Sequence, residues 1–338
     1  MNERRVRYQT PGSPVFVGEW ERSDEYGTFP IGSKPKQMII CPEDATEPFL
    51  IPGHAYLFKW AEDWQERQIW SEIIACRIAQ LTGITVPPCF LAVDETTGRA
   101  GALVEIFYGY PNESPRKRFV HASDIMRLKD PKKGRPHDIY RNHAYAKRLG
   151  VREYQEWWGR VLAFDALIGN TDRHPENWGL LFGFPRLISI HPSTCKRLIP
   201  FLVDVQSPVN TNFSVAFAPA FDNATSLGYE VRDADLVKYM EADRLTAYID
   251  KGTHHCDWDS GQPRLRQHLE LCRRYFQMFP TAGKAMKSVL NFRQEDVESI
   301  LKDCTAFDVK PPFTSGRVEF VSLLIRERQR RLMGLFKD

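Results

Sequence analysis

The sequence predicts a two-lobed α+β fold, with a mixed N-terminal lobe that carries an antiparallel sheet and a mainly helical C-terminal lobe. Before residue 108, short apolar runs alternate with turn residues, which indicates strands. One long apolar stripe at helical spacing interrupts them, and helical spacing dominates again after residue 264. Turn formers at 108–111 (Tyr-Gly-Tyr-Pro) break the strand pattern. We therefore predict an N-lobe over residues 1–108 and a C-lobe over residues 109–338.

Composition restricts the class of protein. Of the 338 residues, 42% are hydrophobic and 26% are charged, as in soluble globular proteins. The formal net charge of +3 does not indicate nucleic acid as the primary partner, and no stretch approaches the roughly 20 apolar residues of a membrane span. The seven cysteines form no Cys-x-x-Cys motif, so we expect free thiols in a reducing cytoplasm. Export by a specialised secretion system would leave no mark on this composition.

Lysines in the N-lobe are candidates for phosphate binding. Residues 32–36 (Gly-Ser-Lys-Pro-Lys) form a turn that enters a strand, and its backbone N–H groups and lysine charge suit a phosphate. An ordinary basic hairpin turn explains the same residues. Lys59 interrupts an apolar run at 56–60. It is either a solvated lysine whose aliphatic stem lies on apolar surface, or a lysine held inside a cleft to bind phosphate.

The stripe at residues 63–81 predicts a helix with an acidic residue on its apolar face. Glu72 shares that face with Ile69 and Cys76, and a carboxylate there is unfavourable unless it is paired. Lys59 is the candidate partner, because a strand lysine paired with a helix glutamate positions nucleotide phosphates in kinases. The alternatives are that Glu72 reaches solvent or pairs with Arg77.

A second strand pair follows at residues 89–93 and 101–107. Its later strand runs into the proposed lobe boundary. A hinge strand in that place has backbone groups to offer an adenine ring, although a plain sheet strand with a linker fits the same residues.

The central segment is the polar loop after a predicted helix at residues 157–168, which Gly169 and Asn170 should end. Asp172 and Asn177 lie five residues apart in this loop, and both carry oxygen donors of the kind that Mg²⁺ takes. Their spacing is that of a phosphotransferase catalytic loop, with Asp172 receiving the hydroxyl proton and Asn177 on the metal. A polar turn that bonds its own backbone is the structural alternative.

A second acidic position follows downstream. Asp222 comes after the apolar residues 217–221 and before a polar turn, the place of the second metal-holding carboxylate in a phosphotransferase. A helix N-cap is the structural alternative. Residues 183–216 are interpreted as an insertion, in which an apolar run at 198–203 leads into Asp204, a rival metal ligand.

Two further segments have simpler interpretations. The basic segment 112–150 is interpreted as a solvated surface, because its aromatic residues are not interleaved for base stacking; RNA binding is the alternative. Residues 254–257 (His-His-Cys-Asp) lack a second ligand pair at zinc spacing, so we predict an exposed loop there.

Taken in order, these segments resemble the HipA-like serine/threonine kinases, bacterial enzymes often found as toxins of toxin–antitoxin pairs. The resemblance covers roughly residues 30–230 and rests on motifs at 32–36, 56–59, 71–79, 102–107, 167–177 and 218–222. It implies ATP- and Mg²⁺-dependent transfer of the γ-phosphate to a protein hydroxyl, with an antitoxin or regulatory protein as a candidate partner. The motifs around Asp172 and Asp222 are also similar to type II phosphatidylinositol 4-kinases. The alternatives are therefore a lipid or small-molecule kinase, or a nucleotide-binding module without catalysis.

The resemblance also assigns roles to individual residues. Asp172 would be the catalytic base, and Asn177 and Asp222 would hold Mg²⁺. The remaining candidates would contact the nucleotide: Lys59 and Glu72 at its phosphates, Ser33 and Lys36 in the phosphate-gripping turn, and Glu105 with Phe107 at the adenine hinge. Ser33 is in addition a candidate for autophosphorylation.

Overall fold

The computed structural model describes residues 7–23, 35–114, 116–126, 128–183, 214–260 and 264–336. In these ranges the strands are β1 (Val15–Phe16), β2 (Glu21–Arg22), β3 (Lys36–Ile40), β4 (Ala55–Lys59), β5 (Cys89–Asp94), β6 (Arg99–Glu105), β7 (Lys117–His121), β8 (Gly179–Gly183) and β9 (Ser214–Phe217). The helices are α1 (Gln68–Thr82), α2 (Ala122–Ile125), α3 (Ile139–Arg148), α4 (Tyr154–Ile168), α5 (Leu236–Met240), α6 (Ala242–Lys251), α7 (His268–Met278), α8 (Pro280–Ser288), α9 (Gln294–Cys304) and α10 (Ser315–Leu335). The predicted two-lobed α+β fold is confirmed; the boundary at residue 108 stays a prediction.

The first six strands form one mixed sheet in the order β1-β5-β6-β4-β3-β2, as far as the described ranges show. Strand β1 runs parallel to β5, and the other pairs are antiparallel. Side chains alternate between the faces, so that Met38 and Leu57 join the apolar cluster around α1 while Tyr56 packs in a second cluster on the other face. The same alternation puts Lys36 and Lys59 on the α1 face.

Helix α1 lies against β5, β6 and α9 and is buried along most of its length. It ends at Gly83, whose φ of 68° is in the left-handed region that glycine adopts readily. The sequence predicted a helical start at residue 63, but Asp63 has a φ of 54°, which no right-handed helix allows. Residues Asp63–Gln65 form a 3₁₀ turn instead, and the helix begins at Gln68.

The C-terminal half is built around α4, which packs against α7, α8 and α10. Its side chains Trp158, Phe164 and Leu167 are fully buried, and Gly169 ends it in the left-handed conformation, as the sequence predicted. Beside it, β7, β8 and β9 form a second, antiparallel sheet. The sequence did not indicate β7, because this strand lies in the basic segment and its residues are exposed or half-buried. None of the helices in the described ranges has the length and apolarity that crossing a bilayer requires.

The packing of the large sheet can be tested at Leu103, which is 0% exposed in the middle of β6. We expect Leu103→Ala to lower the free energy of unfolding by about 2–5 kcal/mol, since it removes buried methyl groups and leaves a cavity. Chemical denaturation measures this loss. Val237→Ala is the control, because Val237 is 75% exposed and its truncation should change stability by less than about 0.5 kcal/mol. Equal effects of both variants would contradict the assigned core.

Candidate active site

Lys59, at the end of β4, joins two carboxylates. Its Nζ lies 2.8 Å from Asp222 Oδ1 and 3.6 Å from Glu72 Oε2. Burial alone would lower the pKa of Lys59, but the charges of Asp222 and Glu72 outweigh it and raise the pKa above the usual lysine value. The ammonium group therefore stays charged and is held by these two carboxylates.

Glu72 is 4% exposed, so it does not reach solvent. Its Oε1 accepts a hydrogen bond of 3.1 Å from the backbone N–H of Asn223, next to Asp222. The alternative partner, Arg77, lies elsewhere, over the Tyr8 ring and against Cys304. Glu72 thus links α1 to both Lys59 and the Asp222 loop.

Asp222 occupies an unusual backbone conformation, with a φ of 58°. Aspartate is among the few residues other than glycine that adopt this region, and strain of about 1–3 kcal/mol persists where the surroundings enforce it. Here Phe221 packs against the rings of Phe107 and Phe119, at centroid distances of 5.5 Å each. This packing turns the 31% exposed carboxylate of Asp222 towards Lys59.

Asp172 lies at the start of the loop that follows α4. Its N–H donates to the Asn170 side chain at 3.1 Å, and its carbonyl accepts from Asn177 Nδ2 at 2.7 Å and from His174 N at 2.9 Å. The backbone is therefore fixed, while the Asp172 side chain is 44% exposed. A fixed and accessible carboxylate has the geometry of a general base.

The structure reveals a buried charge network that the sequence did not indicate. Arg173 and Asp165 of α4 are both 0% exposed and form a two-fold ion pair at 2.7 and 3.0 Å. The Arg173 guanidinium also donates to the carbonyls of Asn177 and Phe221 and to the Asn223 side chain. One side chain therefore attaches the Asp172 loop to the Asp222 loop.

His254 completes this network and corrects an expectation. The predicted exposed loop at residues 254–257 is wrong at three positions, because His254, Cys256 and Asp257 are all buried. His254 Nε2 lies 3.0 Å from Asp165 Oδ2. Burial would raise the pKa of Asp165, but Arg173 and His254 outweigh it and hold the pKa well below the usual range. A contact between residues 89 apart in the chain leaves no local pattern to detect.

The C-terminal helix supports the start of the same loop. Arg328 of α10 is 4% exposed and donates to the Ile168 carbonyl at 2.9 Å, at the end of α4. A side chain at Gly169 would collide with the Arg328 guanidinium. The Leu227 N–H donates to the same Ile168 carbonyl at 2.8 Å, so α10 and the Asp222 loop meet where the Asp172 loop begins.

The hinge candidates are placed differently from one another. The Glu105 side chain is 0% exposed and pairs with Arg7 at 2.5 and 2.7 Å, with Tyr110 at 2.9 Å as a further donor. Any contact of residue 105 with an adenine ring would therefore come from its backbone. Phe107 is 9% exposed and stacks on Phe221, so its ring joins the hinge to the Asp222 loop.

The remaining candidates lie at the sheet edge or beyond the described ranges. Lys36 is directly opposite Lys59 in the β3–β4 register, on the same face of the sheet. Ser33, with most of the predicted phosphate-gripping turn, lies outside the described residues. Asp204, the rival metal ligand, lies outside them as well.

The donor set of Asn177 and Asp222 fits Mg²⁺, which proteins bind through one or two carboxylates together with substrate phosphates. Asn177 uses its Nδ2 to hold the Asp172 carbonyl, which leaves the amide oxygen as the possible ligand. Arg173 Nη1 donates to the carbonyls of both Asn177 and Phe221, so the two loops lie within reach of one ion. Within the described chain, no group of three or more His, Cys, Asp or Glu side chains is arranged as a metal site.

The fold is similar to that of a solved kinase. The crystal structure of the Helicobacter pylori proinflammatory kinase CtkA matches with a TM-score of 0.64 at 15% identity, over 96% of this chain and 96% of that chain. The chain has a kinase fold. This comparison confirms the kinase fold that the sequence resemblance implies.

A second structural comparison is weaker. The structure of HipA with HipB and operator DNA from the Shewanella oneidensis MR-1 toxin–antitoxin system gives a TM-score of 0.49 at 12% identity, over 90% of this chain and 65% of that chain. No protein-family model and no curated protein matches the sequence. The kinase fold of this chain is therefore established by its three-dimensional structure.

The buried ion pair of Arg173 predicts a large effect of a small change. We expect Arg173→Lys to lower the free energy of unfolding by about 3–5 kcal/mol. Lysine keeps the positive charge, but it lacks the planar guanidinium that donates hydrogen bonds to Asp165 and to two backbone carbonyls at once. Urea denaturation at neutral pH measures the change.

Arg293→Lys provides the matched control. Arg293 forms the same kind of two-fold pair with Asp296, at 2.6 and 3.0 Å, but it is 77% exposed. Its denaturation midpoint should stay close to that of the unchanged protein. If Arg173→Lys were equally mild, the buried network would not hold the two loops together.

Proposed function

We propose that this chain is an ATP- and Mg²⁺-dependent kinase that transfers the γ-phosphate to a serine or threonine hydroxyl of a protein. The observation that carries the proposal is the convergence of three elements on one cleft. Lys59 contacts both Glu72 and Asp222, and Arg173 joins the Asp222 loop to the loop of Asp172 and Asn177. A cofactor, a metal and an acceptor would therefore bind next to one another.

The nucleotide phosphates would lie against Lys59 and Lys36. Lys36 is directly opposite Lys59 on the neighbouring strand and on the same face of the sheet, so both ammonium groups would be available to one phosphate chain. The metal, held by Asn177 and Asp222, would neutralise charge on the transferred group. The backbone at residues 105–107 would meet the adenine ring, and Ser33 would belong to the turn over the phosphates.

The acceptor hydroxyl would lie against Asp172, which orients it and receives its proton. In phosphoryl transfer most of the catalysis comes from positioning and electrostatic stabilisation, so the fixed backbone of Asp172 matters more than an altered acidity. The buried Arg173 side chain bonds the backbones of both loops and would hold this base near the proposed metal ligands.

Two wider features of the proposal come from the sequence resemblance. The kinase would act in a bacterial cytoplasm or as an exported effector, and an antitoxin or another regulatory protein would be its partner. Residues 1–108 and 109–338 would be the lobes between which the nucleotide binds.

Replacing the proposed base gives the most direct activity test. We expect Asp172→Asn to lower phosphoryl transfer at least about 100-fold, because the amide has no capacity to accept the proton. The purified chain is incubated with Mg²⁺-ATP and a bacterial lysate, and phosphosites are identified by mass spectrometry. ATP affinity should change little, since the proposed phosphate contact is made by Lys59 and the proposed metal contacts by Asn177 and Asp222.

Asp243→Asn is the matched control, since Asp243 is exposed on α6. It should retain full transfer. Phosphosites that persist in Asp172→Asn would contradict the role of Asp172 as the base. In a parallel assay with labelled ATP, phosphoinositide vesicles and the lysate proteins, label found only in the vesicles would favour the lipid-kinase alternative.

The nucleotide site is tested separately at Lys59. We expect Lys59→Met to weaken Mg²⁺-ATP binding about 10- to 100-fold, because it removes a charge-assisted contact and leaves the carboxylates of Glu72 and Asp222 near the phosphates. Isothermal titration calorimetry measures the affinity. Lys302→Met, at an exposed position on α9, should bind ATP normally. Unchanged affinity in the Lys59 variant would contradict the proposed phosphate site.

A further inference from the structure

We propose that the pocket beside Asp172 selects an acceptor hydroxyl that has an acidic side chain close to it in the same protein segment. This inference rests on the proposed kinase function and names the class of its substrate. Its basis is the distribution of charge around a pocket of about 290 Å³ that Asp172 itself lines.

The pocket has two walls of different character. One wall is the loop after α4, which contributes Asp172, His174 and Glu176. The other includes the 3₁₀ turn Pro131–Lys133, which contributes Lys132 and Lys133. A substrate with its hydroxyl at Asp172 would therefore place a neighbouring side chain against the lysines.

The lysine wall is held in place by the fold. Asp130 caps the turn by accepting from the Lys133 N–H at 3.2 Å, and its backbone forms two hydrogen bonds of 3.0 Å with Arg135. Gly134 has a φ of 57°, and a side chain there would lie 2.8 Å from Pro175 of the opposite wall. The turn is thus packed directly against the Asp172 loop.

The charge on this wall comes from its lysines. Burial, with the neighbouring charge of Arg135, lowers the pKa of His255 to about 3, so this lining residue is neutral at pH 7. Lys133 has Asp130 at 3.8 Å, whereas Lys132 has no carboxylate within ion-pair distance in the described chain. Lys132 is therefore the cation that an incoming carboxylate would meet.

Size and charge favour a protein segment over a lipid head group. A volume of 290 Å³ is at the lower limit of ligand pockets and holds one or two side chains. A head group with several phosphates would lie against the carboxylates of Asp172 and Glu176, which repel it. A peptide places a neutral hydroxyl at Asp172 and one carboxylate at Lys132.

Charge reversal tests this inference with serine peptides that carry Asp, Ala or Lys at each of the three positions on either side of the acceptor. We expect the unchanged chain to phosphorylate the Asp peptide about fivefold faster than the Ala peptide at one or two positions, the ratio for one exposed ion pair. Lys132→Glu should reverse the order and prefer Lys at those positions. Lys129→Glu makes the same charge change at an exposed residue outside the pocket and should keep the preference for Asp.

The outcomes separate this inference from the proposed function. Equal rates for Asp, Ala and Lys peptides, or no reversal by Lys132→Glu, would overturn the acidic preference while the kinase proposal stands. Lysate proteins labelled without any peptide being labelled would also overturn it, as would faster labelling of phosphoinositide vesicles. Failure of phosphoryl transfer to every acceptor would overturn both.

Discussion

The ion pair between Asp165 and Arg173 is the constraint on which the site depends. Both side chains are completely buried, and a buried pair is tolerated only when its geometry and further hydrogen bonds compensate for lost hydration. Arg173 meets this condition with the carbonyls of Asn177 and Phe221 and the side chain of Asn223. The groups that satisfy its charge are the backbones of two functional loops. Stability and the alignment of the candidate catalytic residues therefore rest on the same contacts.

The rest of the fold supplies this pair with rigid surroundings. Helix α4 carries Asp165 through the centre of the C-terminal half, and Arg328 of α10 fixes the point where α4 ends. On the other side, Glu72 of α1 holds Asn223 and lies beside Lys59. Elements from both halves of the chain thus meet at these loops, and each contributes a charged group held by burial or by hydrogen bonds.

Local patterns in the sequence predicted much of this arrangement. Short apolar runs bounded by turn residues predicted β3 to β6, and Gly169 marked the end of α4, because both signals depend on residues that are close in the chain. Strand β7 was missed because its sequence is polar and its backbone hydrogen bonds are made to β8, which is distant in the chain. Arg173, His254 and the pairing of Arg7 with Glu105 were also missed, since their partners are brought together only by the folded chain. The roles of the site residues stay predictions.

The central claim is that one nucleotide triphosphate joins Lys59 to the loops of Asn177 and Asp222. A crystal structure of the chain with Mg²⁺ and a non-hydrolysable ATP analogue tests it most directly. The account predicts phosphates between Lys59 and a metal ion bound by Asn177 and Asp222, with the γ-phosphate facing Asp172. A nucleotide bound elsewhere, or a metal held by Asp204 in place of Asp222, would contradict it.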